Sequence, residues 1–413
     1  MAVDNRQTYV RLRVAPAGEL VRTTYEYMVV GCGGVGSAAA YWLSRQAGGE
    51  EVLALEQFAL GHDRGGSEDH SRIIRLSYHA PEYTTLTPHT YGAWSAVEEE
   101  SGTRLVFKTG GLDLEPLPDG EPRYVNQYAG AMRAAGIPYE ELSAREVMER
   151  FPQFRLDGDV RAVYQADAGL VDAGRANATH AALARARGAT ILENTPVRSV
   201  RAAGDGVKVE TDKNTFSGRR LIVAAGAWTK GVLRHVGVEL PITCTQEQVT
   251  YFKAPNLDEF SPERFPVWIW HGGLRSTFYG VPVYGAPATK AGQDVGGDVV
   301  TVGTRTFETN QRVLENLRRF LERHIPGSLG SELYTKTCLY DMPPDREFVL
   351  GALPDIPQIS VFVGAGHGFK FASLVGRILA ELALYGKTQY PIEAFRVDRP
   401  ALTDPTYEPA FAM

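Results

Sequence analysis

Several residues of this 413-residue chain have the type and spacing to do chemistry. Arg72 and Arg75, in the run SRIIR, stand three apart and can turn both guanidiniums toward one cleft. A guanidinium grips a carboxylate through two parallel N–H bonds, so the pair suits an amino-acid substrate, although on these residues alone it is equally a solvated basic pair. Lys370, in GHGFKF, follows a glycine turn and precedes a helical pattern, where an ammonium can join backbone donors. Cys338, in TCLYDMPPD, is a thiol in an apolar strand, which by itself reads as inert packing. Lys290, in GAPATKAG, is a lone loop lysine, which by itself reads as solvated.

The element that must position them is Tyr25 to Glu56: an apolar run, the turn GCGGVG, a small-residue helix pattern, and a second apolar run ending at Glu56. In such a strand–turn–helix–strand unit Gly31 permits the tight turn, Gly33 and its neighbour Gly34 let backbone approach a pyrophosphate, and Gly36 allows close helix packing. Glu56, 20 residues after Gly36, stands where an acid accepts ribose hydroxyls. The unit predicts a dinucleotide site and leaves FAD and NAD open.

Farther on, Leu86, Tyr91, Trp94 and Val97 predict an amphipathic helix over 83–101 closed by Gly102, and LVFKTGGLDL (105–114) reads as a hairpin-like strand pair. Ser143 and Glu146 form a capping-box pattern. The chain returns to the first domain at GLVDAGR with an alanine-rich helix, strands of period two and the buried strand LIVAAGAW. A second excursion from Cys244 has antiparallel strand patterns and a helix over 310–324, and the final part is strand, glycine turn and helix again.

A net charge of -6 argues against nucleic acid or a polybasic membrane surface, and no run is long and apolar enough to span a membrane. Cys32, Cys244 and Cys338 are too few and scattered for a disulfide framework, and neither they nor the histidines suggest a metal site, so a cytoplasmic protein is expected. Residues 1–24 carry no secretory pattern and read as a tail or extension, and the C-terminus carries no peroxisomal address.

In order, GCGGVG with Glu56, SRIIRLSY, GLVDAGR, LIVAAGAW, YGVPVYGAPATKAG, TCLYDMPPD, GAGHGFKF and RPAL resemble the FAD-dependent amine oxidases of the D-amino-acid oxidase superfamily. The likeness is to the branch with monomeric sarcosine oxidase, N-methyltryptophan oxidase and pipecolate oxidase, over nearly all of Tyr25 to Leu402. The resemblance implies FAD, bonded through Cys338 to the flavin 8α-methyl. It implies that Arg75 and Lys370 hold the substrate carboxylate, that Arg72 lies against the flavin ring, and that Lys290 holds water near flavin N5 and speeds dioxygen reduction. Tyr279 matches the family's active-site tyrosine, and Ser71, Val197, Gly226, Gly364, Gly366 and Gly368 fall at cofactor positions. His367 is adjacent to the cleft by motif.

Two positions depart from the pattern. Where relatives carry histidines, four residues before the first arginine and four after the lysine, this chain has Glu68 and Asp294. Carboxylates there favour a protonated amine, whereas oxidation needs the free lone pair, so the substrate is expected to differ from sarcosine, unless the loops register differently and the acids face solvent.

The expected fold is mixed α/β: a Rossmann-type FAD domain from 25–110, 166–243 and 331–413, and a substrate domain of mostly antiparallel sheet from 111–165 and 244–330. The expected activity is oxidation of a secondary-amine amino acid to an imine, with dioxygen reduced to hydrogen peroxide, by a monomer that binds neither nucleic acid nor membrane. The alternatives are an oxidase or dehydrogenase of a cyclic imino acid, and a flavin-binding protein without turnover.

Overall fold

The computed structural model describes residues 13–14, 20–117, 123–273 and 275–410. The expected extension, 1–24, lies largely outside them; Arg13–Val14 pairs antiparallel with Leu20–Val21.

The first sheet has eight strands and the mixed α/β character expected. Thr190–Leu192, Val52–Leu55, Thr24–Val30 and the long strand Thr215–Val223 lie side by side and parallel. Val52–Leu55 and the end of Thr24–Val30 are buried without alternation, as strands covered on both faces require. The start of Thr215–Val223 pairs antiparallel with Gly206–Thr211, while its last three residues pair parallel with Ile359, Ser360 and Val361. Helix Gly34–Ala47 covers one face and packs on helices Ala173–Ala186 and Ala372–Tyr385. Small residues set that closeness: a Cβ on Gly376 would meet Ala38. Ala173–Ala186 begins where the Asp172 side chain accepts the Arg175 N–H (3.0 Å).

The second sheet has nine strands, antiparallel except where Gly111–Glu115 runs parallel to Val267–His271. Its core holds Trp268, Phe278 and Phe320, the last from helix Gln311–His324, which Asn310 caps through its side chain. A small third sheet joins Arg72–Ile74, Gly169–Val171 and Val106–Lys108.

Four expectations change. Residues 105–114 are not a hairpin: Val106–Lys108 belongs to the third sheet and Gly111–Glu115 to the second, because Gly110, at φ +71°, turns the chain between them. The helix over 83–101 is two, Pro81–Thr84 and Thr87–Ser101, since Pro88 lacks an N–H for an unbroken ladder; Gly102 closes the second in the left-handed conformation. The division at 330/331 precedes a strand, Ser331–Met342, that pairs along its length with Thr243–Lys253 in the second sheet. Lys290 is no loop residue; it lies in strand Thr289–Gln293, between Tyr251 and Val281.

Candidate active site

A cavity of about 1480 Å³ runs from the Gly31 turn to the second sheet. Every residue singled out from the sequence for cofactor or substrate lines it except Gly36. Gly36 instead lies against the turn, where a Cβ would run into the Gly31 carbonyl; a Cβ on Gly31, at φ +89°, would meet Ala224.

At this end Glu56 is buried, and its two oxygens accept the N–H groups of Cys32 (2.8 Å) and Phe58 (3.0 Å). Burial opposes its charge, but these bonds and His62 hold it below the usual carboxylate range. An ionised carboxylate still has lone pairs for hydroxyl donors. Gly226, at φ +51°, borders open space, and the buried Asn177 Oδ1 on the same cavity has no partner among the described residues.

The middle wall is built around a residue not singled out from the sequence, Asp69. Its Oδ2 lies 2.6 Å from Lys290 Nζ and 3.4 Å from Arg72 Nη1. Its Oδ1 accepts the Tyr251 hydroxyl (2.7 Å) and the His70 N–H (2.8 Å). Lys290 is 3% exposed and also donates to the Ser71 carbonyl (2.7 Å). Burial drives its ammonium down, Asp69 opposes and Arg72 assists, leaving it lowered to about 8. Arg72 further donates to the carbonyls of Gly66, Glu68 (both 3.0 Å) and Ser71 (2.9 Å). Cys338 is half-buried in strand Ser331–Met342. Burial outweighs the nearby Arg72 charge and pushes its thiol up to about 11.

At the far end Arg75 is ion-paired through Nη1 with buried Asp113, which also accepts from Ser77 (2.7 Å) and His271 Nε2 (2.9 Å). Arg75 Nε is buried without a partner among the described residues. Lys370 Nζ donates to the Tyr78 hydroxyl (3.0 Å) and the His367 carbonyl (2.9 Å). His367 Nε2 faces the Arg346 carbonyl (3.1 Å), which can only accept, so Nε2 carries the proton and Nδ1 accepts from Tyr78 (3.2 Å). Burial, then Lys370 and Arg346, hold His367 well below its usual value, consistent with that neutral tautomer.

Both departures from the family pattern line the cavity. Asp294 is held by both terminal nitrogens of Arg346 (3.1 and 3.3 Å), while burial raises Glu68 above its ordinary value against Lys336 and Arg72. Tyr279 joins them on the cavity wall. Sequence reading missed Asp69, Asp113 and Arg346. An acid inside the apolar strand GGLDL was a signal for Asp113; Asp69, in the polar run SEDHSR, carried none.

Among the described residues no cluster fit for a metal ion occurs, and no helix is long and apolar enough to cross a membrane. A family model described as FAD dependent oxidoreductase matches residues 26–382. Monomeric sarcosine oxidase of Streptomyces avermitilis is 36% identical over 388 residues, 90% of this chain and 97% of that protein. N-methyl-L-tryptophan oxidase of Escherichia coli is 28% identical, covering 91% of this chain and 99% of its own. Among solved structures, NikD, described as an unusual amino acid oxidase essential for nikkomycin biosynthesis, superposes with TM-score 0.80 at 28% identity, over 91% of this chain and 97% of that one. With the glycine turn, the cavity and these likenesses together, the chain belongs to the FAD-dependent oxidoreductase family, in the branch of the sarcosine and N-methyl-L-tryptophan oxidases.

Proposed function

We propose that this chain is a flavin-dependent oxidase of amino acids bearing a secondary amine. The observation that carries the reading is one cavity joining a dinucleotide-type turn to two cations, Arg75 and Lys370, at its far end. The residues fit FAD. Gly31, Gly33 and Gly34 offer backbone at the start of helix Gly34–Ala47, where phosphates are favoured, and Glu56 and the unpartnered Asn177 Oδ1 offer acceptors to its hydroxyls. Ser71, Arg72, Val197, Gly226, Gly364, Gly366 and Gly368 complete the proposed lining. When bound, FAD accepts a hydride from the carbon next to the amine and passes the electrons to dioxygen, giving hydrogen peroxide.

Arg75 and Lys370 orient the substrate carboxylate. Asp113 and Tyr128 each take one N–H of the terminal nitrogens, which leaves the unpartnered Nε and the remaining N–H groups for it. Holding the carboxylate fixes the reacting C–H bond, and that placement supplies much of the rate. Tyr279 borders the same space, and Arg346 draws the charge of Asp294 away from the amine, so the lone pair is not protonated on its account. Lys290 puts positive charge where dioxygen is reduced. Cys338 carries the flavin through a thioether, and the chain works as a monomer.

Asp294 supports a second reading, a cyclic imino acid as substrate. Held by Arg346, it remains an acceptor for a second polar group on a cyclic or larger substrate, a group that sarcosine lacks.

The test is anaerobic addition of sarcosine, pipecolate and proline to the purified yellow protein. Bleaching by sarcosine or a ring amine, with peroxide on re-aeration, is the expected outcome. Bleaching without peroxide makes the chain a dehydrogenase, and no bleaching by any secondary amine overturns the activity.

A further inference from the structure

Lys290 occupies a place that disfavours its charge. It is buried in a strand of the second sheet, and the permanent charge of Arg72 stands beside it. Of the described groups that face it, Asp69 alone carries negative charge at neutral pH: Tyr251 and Cys338 stay protonated, and Arg72 is cationic. Asp69 is fixed from three sides. Tyr251 and the His70 N–H hold Oδ1, and its backbone carbonyl accepts the Gly174 N–H (3.0 Å) at the start of helix Ala173–Ala186. Lys336 approaches the same carboxylate at 3.8 Å. One anion therefore gathers three cations, Lys290, Arg72 and Lys336, and the wall stays net positive.

A buried ion pair is poor evidence for stability, because desolvating two charges offsets their attraction. This pair stands on the cavity wall, not in an apolar core. We propose that Asp69 is the positioning residue for Lys290: its carboxylate fixes the ammonium against the Ser71 carbonyl on the cavity wall and keeps it charged where its surroundings would neutralise it. The inference rests on the reading of Lys290 as the cation that promotes dioxygen reduction, and it explains how a lysine can serve that purpose inside the protein. Burial and Arg72 both push Lys290 toward the neutral form, and Asp69 is the opposing influence. With it, the ammonium persists to about pH 8. Without it, Lys290 loses its proton at lower pH and its Nζ loses its anchor.

The experiment uses holoenzyme labelled with carbon-13 at lysine Cε, in which the resonance that vanishes in Lys290→Met is followed against pH. The wild-type midpoint is expected near 8. In Asp69→Asn it is expected to fall by at least about one pH unit, and Asp69→Glu is expected to restore most of the difference. An unchanged midpoint in Asp69→Asn overturns the proposal. If that variant does not accumulate, the wild type alone decides: a Lys290 already neutral at pH 7 overturns it as well. Reoxidation of the reduced enzyme by dioxygen is timed in parallel. It is expected to slow as pH rises through the Lys290 midpoint, and to do so at lower pH in Asp69→Asn. Should Lys290→Met reoxidise at the wild-type rate, the oxygen role of Lys290 fails, while the titration still decides whether Asp69 holds it.

Discussion

Lys290 and Lys370 are both buried ammoniums on one cavity, and their neighbours divide them. Lys290 has a carboxylate at 2.6 Å, whereas the hydrogen-bond partners of Lys370 among the described residues are the Tyr78 hydroxyl and the His367 carbonyl. Burial, and then the like charge of Arg75, lower Lys370 to about 7 against the weaker pull of Asp294 and Asp113. Its charged form is therefore present below about pH 7 and lost above it. If Lys370 holds the substrate carboxylate, a simple carboxylate without an amine, such as propionate, should bind more weakly as pH rises through 7, by up to about tenfold per pH unit. Flavin difference spectra measure this, and Lys370→Met should flatten the profile; a wild-type affinity constant from pH 6 to 8.5 would sink the assignment. The two lysines were legible because each sits in a motif, but their partners were not. Asp69 meets Tyr251 across 182 residues of chain and Asp113 meets His271 across 158, distances over which local spacing carries no information.

Among elements, the glycine turn was the most legible, since each glycine has a local steric reason. Gly36 is the sharpest case: it does not touch the cavity, yet a Cβ there would run into the Gly31 carbonyl. Gly36→Ala should cost about 1–3 kcal/mol as an overpacked contact and push the turn out of place. The purified protein should then show a lower urea midpoint and a lower flavin-to-protein absorbance ratio than wild type, while Gly92→Ala, on an open face of helix Thr87–Ser101, should show neither. Flavin content at the wild-type level in Gly36→Ala would mean the turn does not hold the cofactor. Where the sequence misled, the cause was a choice between sheets. The strand patterns flanking Gly110 are real, but a local pattern does not say which sheet each strand joins. Strain was also invisible. Arg275, Val295 and Arg346 adopt left-handed backbone at φ +59°, +51° and +58°, and all three line the far end of the cavity. For a β-branched valine that conformation is an outlier, and such outliers collect where a site over-determines the chain.

At the scale of the whole molecule, the cavity wall is shared. The first sheet contributes its glycine turn, and the second contributes Tyr279, Lys290 and Cys338. A cofactor lying along this cavity would touch both, so its binding would couple two hydrophobic cores that the chain otherwise builds separately. That makes melting a test of the thioether. A ligand that binds only the native state stabilises by mass action, about 2.7 kcal/mol at 100 times its dissociation constant, but only if it can dissociate. With flavin covalently held by Cys338, the melting temperature of the wild type should not respond to added FAD. In Cys338→Ser the same flavin becomes exchangeable, so the melting temperature should rise with FAD concentration, from a lower value in the stripped protein. Acid precipitation should agree, with colour in the wild-type pellet and in the variant's supernatant. A wild-type melting temperature that climbs with FAD would show a dissociable cofactor, and Cys338 would revert to a packed thiol in its strand.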